Sequence, residues 1–170
     1  VGMGIVKHPL IKAVGFTGSF RGGKALYDAA AQRPEPIPVY AEMGSTNPVF
    51  ILPGALKDKK EEIAKGLTAT VTLGVGQFCT NPGLVFVENS DLTNSFKQLT
   101  ADTFRASASG TMLTAGIQKA YENGSKKLTS QKGVELSATG QSEGEGFQGV
   151  PFIAQTSAKD FMANKELEDE

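Results

Sequence analysis

Three prolines fall within five positions of Arg33-Pro34-Glu35-Pro36-Ile37-Pro38. Each removes a backbone donor and locks φ, so this stretch is a loop whatever surrounds it. The forced break divides two patterned runs. Ahead of it, Ala13-Val14-Gly15-Phe16 reads as a short buried strand, Thr17 to Arg21 as a small-residue turn, and Gly22 through Ala31 as a helix. Behind it, Val39 to Met43 and Pro48 to Leu52 read as strands, joined by the polar turn Gly44-Ser45-Thr46-Asn47. Strands alternating with helices favour an α/β architecture.

The rest of the chain continues the alternation. From Asp58 to about Gly74, Ile63, Leu67, Val71 and Val75 recur every four positions, which predicts an amphipathic helix stopped by Gly74 and Gly76. Leu84 to Val87 reads as a strand. Leu92, Phe96, Leu99 and Thr103 outline a helix capped by Ser90 or Asp91. Leu113, Ile117, Ala120 and Tyr121 suggest another, ending at Asn123-Gly124. Residues 138–149 are glycine-rich and expected to form a mobile loop. Val150 to Gln155 follows as a strand and Ala158 to Asn164 as a short helix.

With 170 residues, 39% of them hydrophobic, the chain can bury a sizeable core. Its 17 basic and 18 acidic residues give a net charge of −1, and Lys57-Asp58-Lys59-Lys60-Glu61-Glu62 mixes both signs, as a solvated helix start does. That balance argues against nucleic acid or an anionic membrane as partner. No stretch has the apolar length of a membrane span, no metal-ligand cluster is expected, and one cysteine excludes an intrachain disulfide. The chain opens on Val-Gly-Met-Gly without an initiator methionine and closes on Lys165-Glu166-Leu167-Glu168-Asp169-Glu170. A piece of a longer protein is the simplest reading, and an ordinary charged tail the alternative.

Three places can carry chemistry. The turn at Phe16-Thr17-Gly18-Ser19-Phe20-Arg21-Gly22-Gly23 leads from a strand into a helix start, which suits a phosphate. Its spacing is not that of the usual dinucleotide fingerprint, and a plain turn is the competing reading. In Tyr40-Ala41-Glu42-Met43-Gly44 a carboxylate ends an apolar strand. If buried it would suit a general base; a surface glutamate is the alternative. The third is Cys79, between Gly76-Gln77-Phe78 and Thr80-Asn81-Pro82-Gly83, where a helical run gives way to a turn and a strand. Unaided, a thiol is only a few per cent thiolate at neutral pH. The only histidine, His8 beside Pro9, reads as a loop residue, so a papain-like dyad is disfavoured.

In order, Gly15-Phe16-Thr17-Gly18-Ser19, Glu42-Met43-Gly44 with Asn47-Pro48, and Gly76-Gln77-Phe78-Cys79 resemble the motifs of the aldehyde dehydrogenase superfamily. Those motifs are F-T-G-S followed by glycine, E-L-G-G-K-[SN]-P and G-Q-x-C. The spellings here are most similar to a bacterial branch of α-ketoglutaric semialdehyde (2,5-dioxopentanoate) dehydrogenases and an NADP-dependent fatty aldehyde dehydrogenase. The resemblance is specific over residues 1–87 and thinner afterwards.

The resemblance implies an incomplete catalytic domain of three layers with a mostly parallel sheet. Residues 1–41 would be the end of a nucleotide-binding domain and 42–170 the thiol-bearing domain. Cys79 would be the nucleophile and Glu42 the base that activates water. Gly18, Ser19 and Gly23 would meet the pyrophosphate of NADP or NAD, with NADP slightly favoured. Met43 and Gly44 would lie near the nicotinamide, Glu170 at its ribose, and Phe78 and Thr80 along the substrate path. A small-molecule aldehyde, a homo-oligomer and a cytoplasmic location are implied with them. Ser45-Thr46 departs from the family's Gly-Lys, and the interval from Glu42 to Cys79 is a few residues longer than in most relatives. The family's N-terminal region, with its oxyanion-hole asparagine, has no counterpart here. The 170 residues alone are therefore expected to be inactive. Competing readings are a folded non-catalytic piece and a cofactor-independent cysteine thioesterase.

Overall fold

The structure is a computed structural model that describes residues 2–167. Contacts divide the chain into two units, Val1–Ser45 and Thr46–Glu170. In the first, helix α1 (Gly2–Lys7) precedes strand β1 (Val14–Gly18), helix α2 (Phe20–Ala31) and strand β2 (Val39–Met43). β1 and β2 pair in parallel, from Val14 opposite Val39 to Gly18 opposite Met43. Glu42 to Ser45 group with this unit because β2 stays in register through Met43 and the Gly44 N–H donates to Gly18 O at 3.0 Å.

Helix α2 begins earlier than expected, since Ser19 caps it: its Oγ accepts from the Gly22 N–H at 3.2 Å. Val6, Ala29 and Ala30 form the core of this unit with Val14, Leu26, Ile37 and Val39 around them. β1 is not the buried strand expected. It alternates half-buried and exposed residues because helices cover one face of the pair and leave the other open. Tyr40, 73% exposed, stands on that open face.

Arg33, at the head of the proline loop, is buried. Its Nη1 donates to Val6 O and Ile11 O, both at 2.9 Å, and Nη2 donates to Pro9 O at 3.5 Å. One guanidinium thus gathers the carbonyls of the α1–β1 connection, a task suited to its rigid fork of donors.

The second unit opens with strand β3 (Val49–Ile51), helix α3 (Pro53–Thr72) and strand β4 (Val85–Val87), and β3 pairs with β4 in parallel. α3 is kinked at Lys59, whose φ of −138° and ψ of 23° are not helical. A first piece begins with Pro53, where no backbone donor is needed, and the helix expected from about Asp58 is the part beyond the kink. Helix α4 (Asp91–Arg105), capped by Ser90, packs along α3. Ile51, Leu56, Ala64, Leu67 and Phe96 make the main core; Ala101, Phe104 and Ala138 make a second. Between the two helices the Thr68 and Thr103 hydroxyls bond at 2.7 Å.

Strand β5 (Gly110–Thr111), helix α5 (Ala115–Thr129) and strands β6 (Val134–Thr139), β7 (Gln148–Gly149) and β8 (Phe152–Thr156) follow, then helix α6 (Ala158–Ala163) and a 3₁₀ turn at Lys165–Leu167. β5 pairs with β7 and β6 with β8, both antiparallel. The chain is α/β, and among the described strands parallel pairing occurs in the two-stranded pairs of β1–β4, with one isolated parallel bridge between Ala108 and Gln141. α5 does not stop at Asn123-Gly124: an internal glycine costs a helix only about 1 kcal/mol, and half-buried Leu128 extends its inner face. Nor is the glycine-rich segment left untied. Gly140 N–H donates to Pro151 O, Gln141 N–H to Ser107 O, and Met112 N–H to Phe147 O, each at 2.8 Å.

α3 ends in an unusual turn. Leu73–Gly76 is a short 3₁₀ segment in which Gly74, Val75 and Gly76 have φ of 57°, 59° and 70°. Glycine takes this left-handed region freely, but a β-branched valine does not. The Val75 side chain lies in a space kept open by Gly110 of β5 and Gly149 of β7: a Cβ at Gly110 would come within 2.6 Å of Val75 Cγ2.

Three outcomes are expected. Arg33→Ala lowers the urea-unfolding free energy of the first unit by about 3 kcal/mol, and Arg33→Lys recovers less than half, because an ammonium cannot span the same carbonyls. Gly74→Ala loses about 1–2 kcal/mol from its left-handed φ alone, and its new Cβ would strike the Phe78 ring. Tyr121 Oη donates to Val150 O at 2.5 Å, and burial raises its phenol above the ordinary 10.0. The fold favours the neutral phenol, so its contribution is complete below pH 10 and is lost as pH rises through the folded value. Unfolding of wild type and Tyr121→Phe, compared from pH 8 upward, should show that loss only in the wild type.

Candidate active site

The sequence-predicted residues fall into two groups, one in each unit. In the first unit they collect at the carboxyl ends of β1 and β2, where parallel sheets offer their ligand sites. Gly18 and Ser19 are exposed at the start of α2, with Arg21 in its first turn. Gly44 is exposed immediately beyond β2. Gly23 is buried, and its missing side chain is what lets α2 approach β2: a Cβ there would fall on Cγ and Sδ of Met43. Met43 therefore has a packing partner in Gly23.

Glu42 pairs with Thr17 across the strands and, with Gly15, Phe16, Tyr40 and Ala41, lines an open depression along them. It is exposed. The burial considered for this carboxylate is absent, because alternation along β2 turns Tyr40 and Glu42 outward while Val39, Ala41 and Met43 are half-buried.

A helix start with exposed small residues and an arginine in its first turn has the donors and charge that a pyrophosphate needs. The Gly18–Arg21 segment thus fits the phosphate part of a dinucleotide in chemical type, although the Ser19 hydroxyl is already engaged with Gly22 N–H. Among the described residues there is no group of three or more His, Cys, Asp or Glu that could hold a metal ion. Glu170, expected at the cofactor ribose, lies outside the described residues.

In the second unit, Phe78, Cys79 and Thr80 are exposed on one turn, closed by the Asn81 N–H donating to Phe78 O at 3.1 Å. The turn follows the left-handed Gly74–Gly76 segment and is tied on several sides. Gln77 Nε2 donates to Gly74 O at 3.0 Å, while its Oε1 accepts from the Leu113 N–H at 3.0 Å. Asn81 Nδ2 donates to Gly76 O at 3.0 Å and Val71 O at 3.3 Å, fastening the turn to the end of α3. Asn47 Nδ2 donates to Cys79 O at 2.8 Å and Asn81 O at 2.9 Å. An exposed thiol is thereby carried on a backbone whose shape is fixed by three side-chain amides.

The positions of Asn47, Asn81 and Gln77 in the motifs were readable; their work as struts was not. One signal did point to two of them. Asn47 and Asn81 each precede a proline, Pro48 and Pro82. A following proline restricts the asparagine backbone to extended conformations, and asparagine readily bonds nearby main chain in turns.

Comparison with known proteins places this architecture. The profile of the aldehyde dehydrogenase family matches residues 1–166. Alpha-ketoglutaric semialdehyde dehydrogenase 2 of Azospirillum brasilense is 44% identical over 96% of this chain and 31% of its own length. Alpha-ketoglutaric semialdehyde dehydrogenase of Acinetobacter baylyi is 39% identical over 100% of this chain and 32% of its own. The chain thus spans about a third of the length of these curated relatives. Among solved structures, an NAD-dependent benzaldehyde dehydrogenase from Corynebacterium glutamicum superposes with a TM-score of 0.70 at 19% identity, covering 95% of this chain and 36% of that one, a likeness of fold. The chain belongs to the aldehyde dehydrogenase family.

Proposed function

We propose that the intact protein containing this chain oxidises an aldehyde to a carboxylate with NADP or NAD as oxidant, and that the aldehyde is a semialdehyde such as α-ketoglutaric semialdehyde. The observation that carries the reading is the single cysteine, standing exposed on a tethered turn within a chain that matches the family over residues 1–166. The substrate class is supported by the names of the two curated relatives.

Cys79 Sγ adds to the aldehyde carbon, the carbonyl π pair moves to oxygen, and the thiol proton passes to that oxygen to complete a thiohemiacetal. A bound nicotinamide would supply the hydride acceptor, and loss of the hydride from this carbon and of the hydroxyl proton to solvent would leave a thioester on Cys79. Glu42 then takes a proton from water. The water oxygen attacks the thioester carbonyl, the C–S bond breaks, and the carboxylate product leaves a regenerated thiol. Gly18 and Ser19 would hold the pyrophosphate at the start of α2, with Gly23 allowing the close approach of helix and strand beneath them. Met43 and Gly44 would border the nicotinamide, Glu170 would serve its ribose, and Phe78 and Thr80 would flank the thiol on the substrate side. The exposed Tyr40, Phe50 and Leu52 support cover by further polypeptide or by a second subunit of a homo-oligomer. The protein acts in the cytoplasm, and the 170 residues alone do not turn over aldehyde.

Steady-state and burst kinetics of the intact protein with α-ketoglutaric semialdehyde test the scheme. Cys79→Ser should abolish both the burst and turnover. Glu42→Gln should keep a burst of about one reduced cofactor per site and slow the steady state by ~10²–10⁴. Undiminished turnover in Cys79→Ser would remove the thiol from the mechanism.

A further inference from the structure

We propose that Asn47 is a positioning residue for the nucleophile, its carboxamide holding in place the main chain from which the Cys79 thiol is presented. The proposal rests on the reading of Cys79 as the attacking group. A single amide nitrogen, Asn47 Nδ2, reaches two carbonyls of the Cys79 turn, at 2.8 Å to Cys79 O and 2.9 Å to Asn81 O. Both of its hydrogens are thereby used.

Holding those two oxygens fixes the planes of the peptide units that follow Cys79 and Asn81. The Cys79 Cα lies in the first of these planes, so its place is fixed with that plane and only rotation about Cα–C and χ1 is left to move the sulfur. The Asn47 stem is itself stiff, since Pro48 confines its backbone to extended conformations. On the other side, Asn81 ties the same turn to Val71 O and Gly76 O.

The bond contributes little to the core. Asn47 belongs to none of the apolar clusters, and Phe78, Cys79 and Thr80 are exposed. Only Asn81, Pro82 and the Phe78 ring set against Gly74 give the turn partial cover, so the amide bonds are a main part of what holds it. Misplacement of a reacting atom by about 1 Å costs on the order of 10²-fold in rate.

The test uses the intact protein, comparing Asn47→Ala, Asn47→Ser and Asn47→Asp with wild type and with Cys79→Ser. Asn47→Ala should lower kcat by ~10², leave KM for the cofactor within about threefold, and lower the melting temperature only by the few degrees that two lost hydrogen bonds represent. Asn47→Ser, with one donor for two carbonyls, should fall between Asn47→Ala and wild type. Asn47→Asp, whose ionised carboxylate has no donor, should do no better than alanine. Wild-type kcat in Asn47→Ala, or no partial rescue in Asn47→Ser, overturns the proposal. If Asn47→Ala does not fold, Asn47→Ser decides: reduced kcat at a melting temperature within a few degrees of wild type supports positioning, and wild-type kcat rejects it. Full activity in Cys79→Ser would instead defeat the underlying reading, whereas an inactive Cys79→Ser beside a fully active Asn47→Ala defeats only the role of Asn47.

Discussion

The second unit turns on three consecutive residues in left-handed conformation, Gly74, Val75 and Gly76. They end α3 and turn the chain into the Cys79 turn. Two are glycines and adopt this geometry at little cost; Val75 pays a strain of about 1–3 kcal/mol. Packing has to offset it. The valine side chain rests between Gly110 and Gly149, so the strained residue depends on the short β5–β7 pair. That pair is in turn fastened by the bonds of the glycine-rich segment, among them Gln141 N–H to Ser107 O and Ser109 N–H to Gln141 O. A stretch that resembles a loose loop in composition thus supports the backbone conformation from which the thiol is presented.

In the first unit the equivalent constraint is a close approach. Gly23 lets α2 rest on Met43, and parallel pairing of β1 with β2 brings Gly18 level with Met43. Helix start and strand end therefore arrive at one edge of the unit together. Arg33 holds the connection before β1 by its carbonyls. Its position at the head of the proline loop gave no hint of this, because the acceptors are main-chain atoms of a distant segment.

The readable parts of the sequence were those governed by local chemistry. β2 occupies Val39–Met43 as its apolar run suggests, and Ser90 caps α4 as its hydroxyl does elsewhere. The motif residues Gly18, Ser19 and Gly44 sit at element ends. What could not be read depended on tertiary partners. Glu42 is exposed because of which face of β2 is covered, a matter of neighbours rather than of strand pattern. α5 runs through Gly124 because packing of residues such as Leu128 outweighs a modest propensity penalty. Asn47 and Asn81 were legible as turn residues, but the carbonyls they serve lie far along the chain or at the end of another helix.

The amides that hold the Cys79 turn share a property with consequences for which side chains it can carry. Gln77, Asn47 and Asn81 reach Gly74 O, Leu113 N, Cys79 O, Asn81 O, Val71 O and Gly76 O, all of them main-chain atoms. None of these six bonds specifies which side chain stands at 78 or 80. Residues 78 and 80 can therefore be exchanged without removing any of the six bonds that tether the Cys79 turn, so the mount and the side chains it displays are separable.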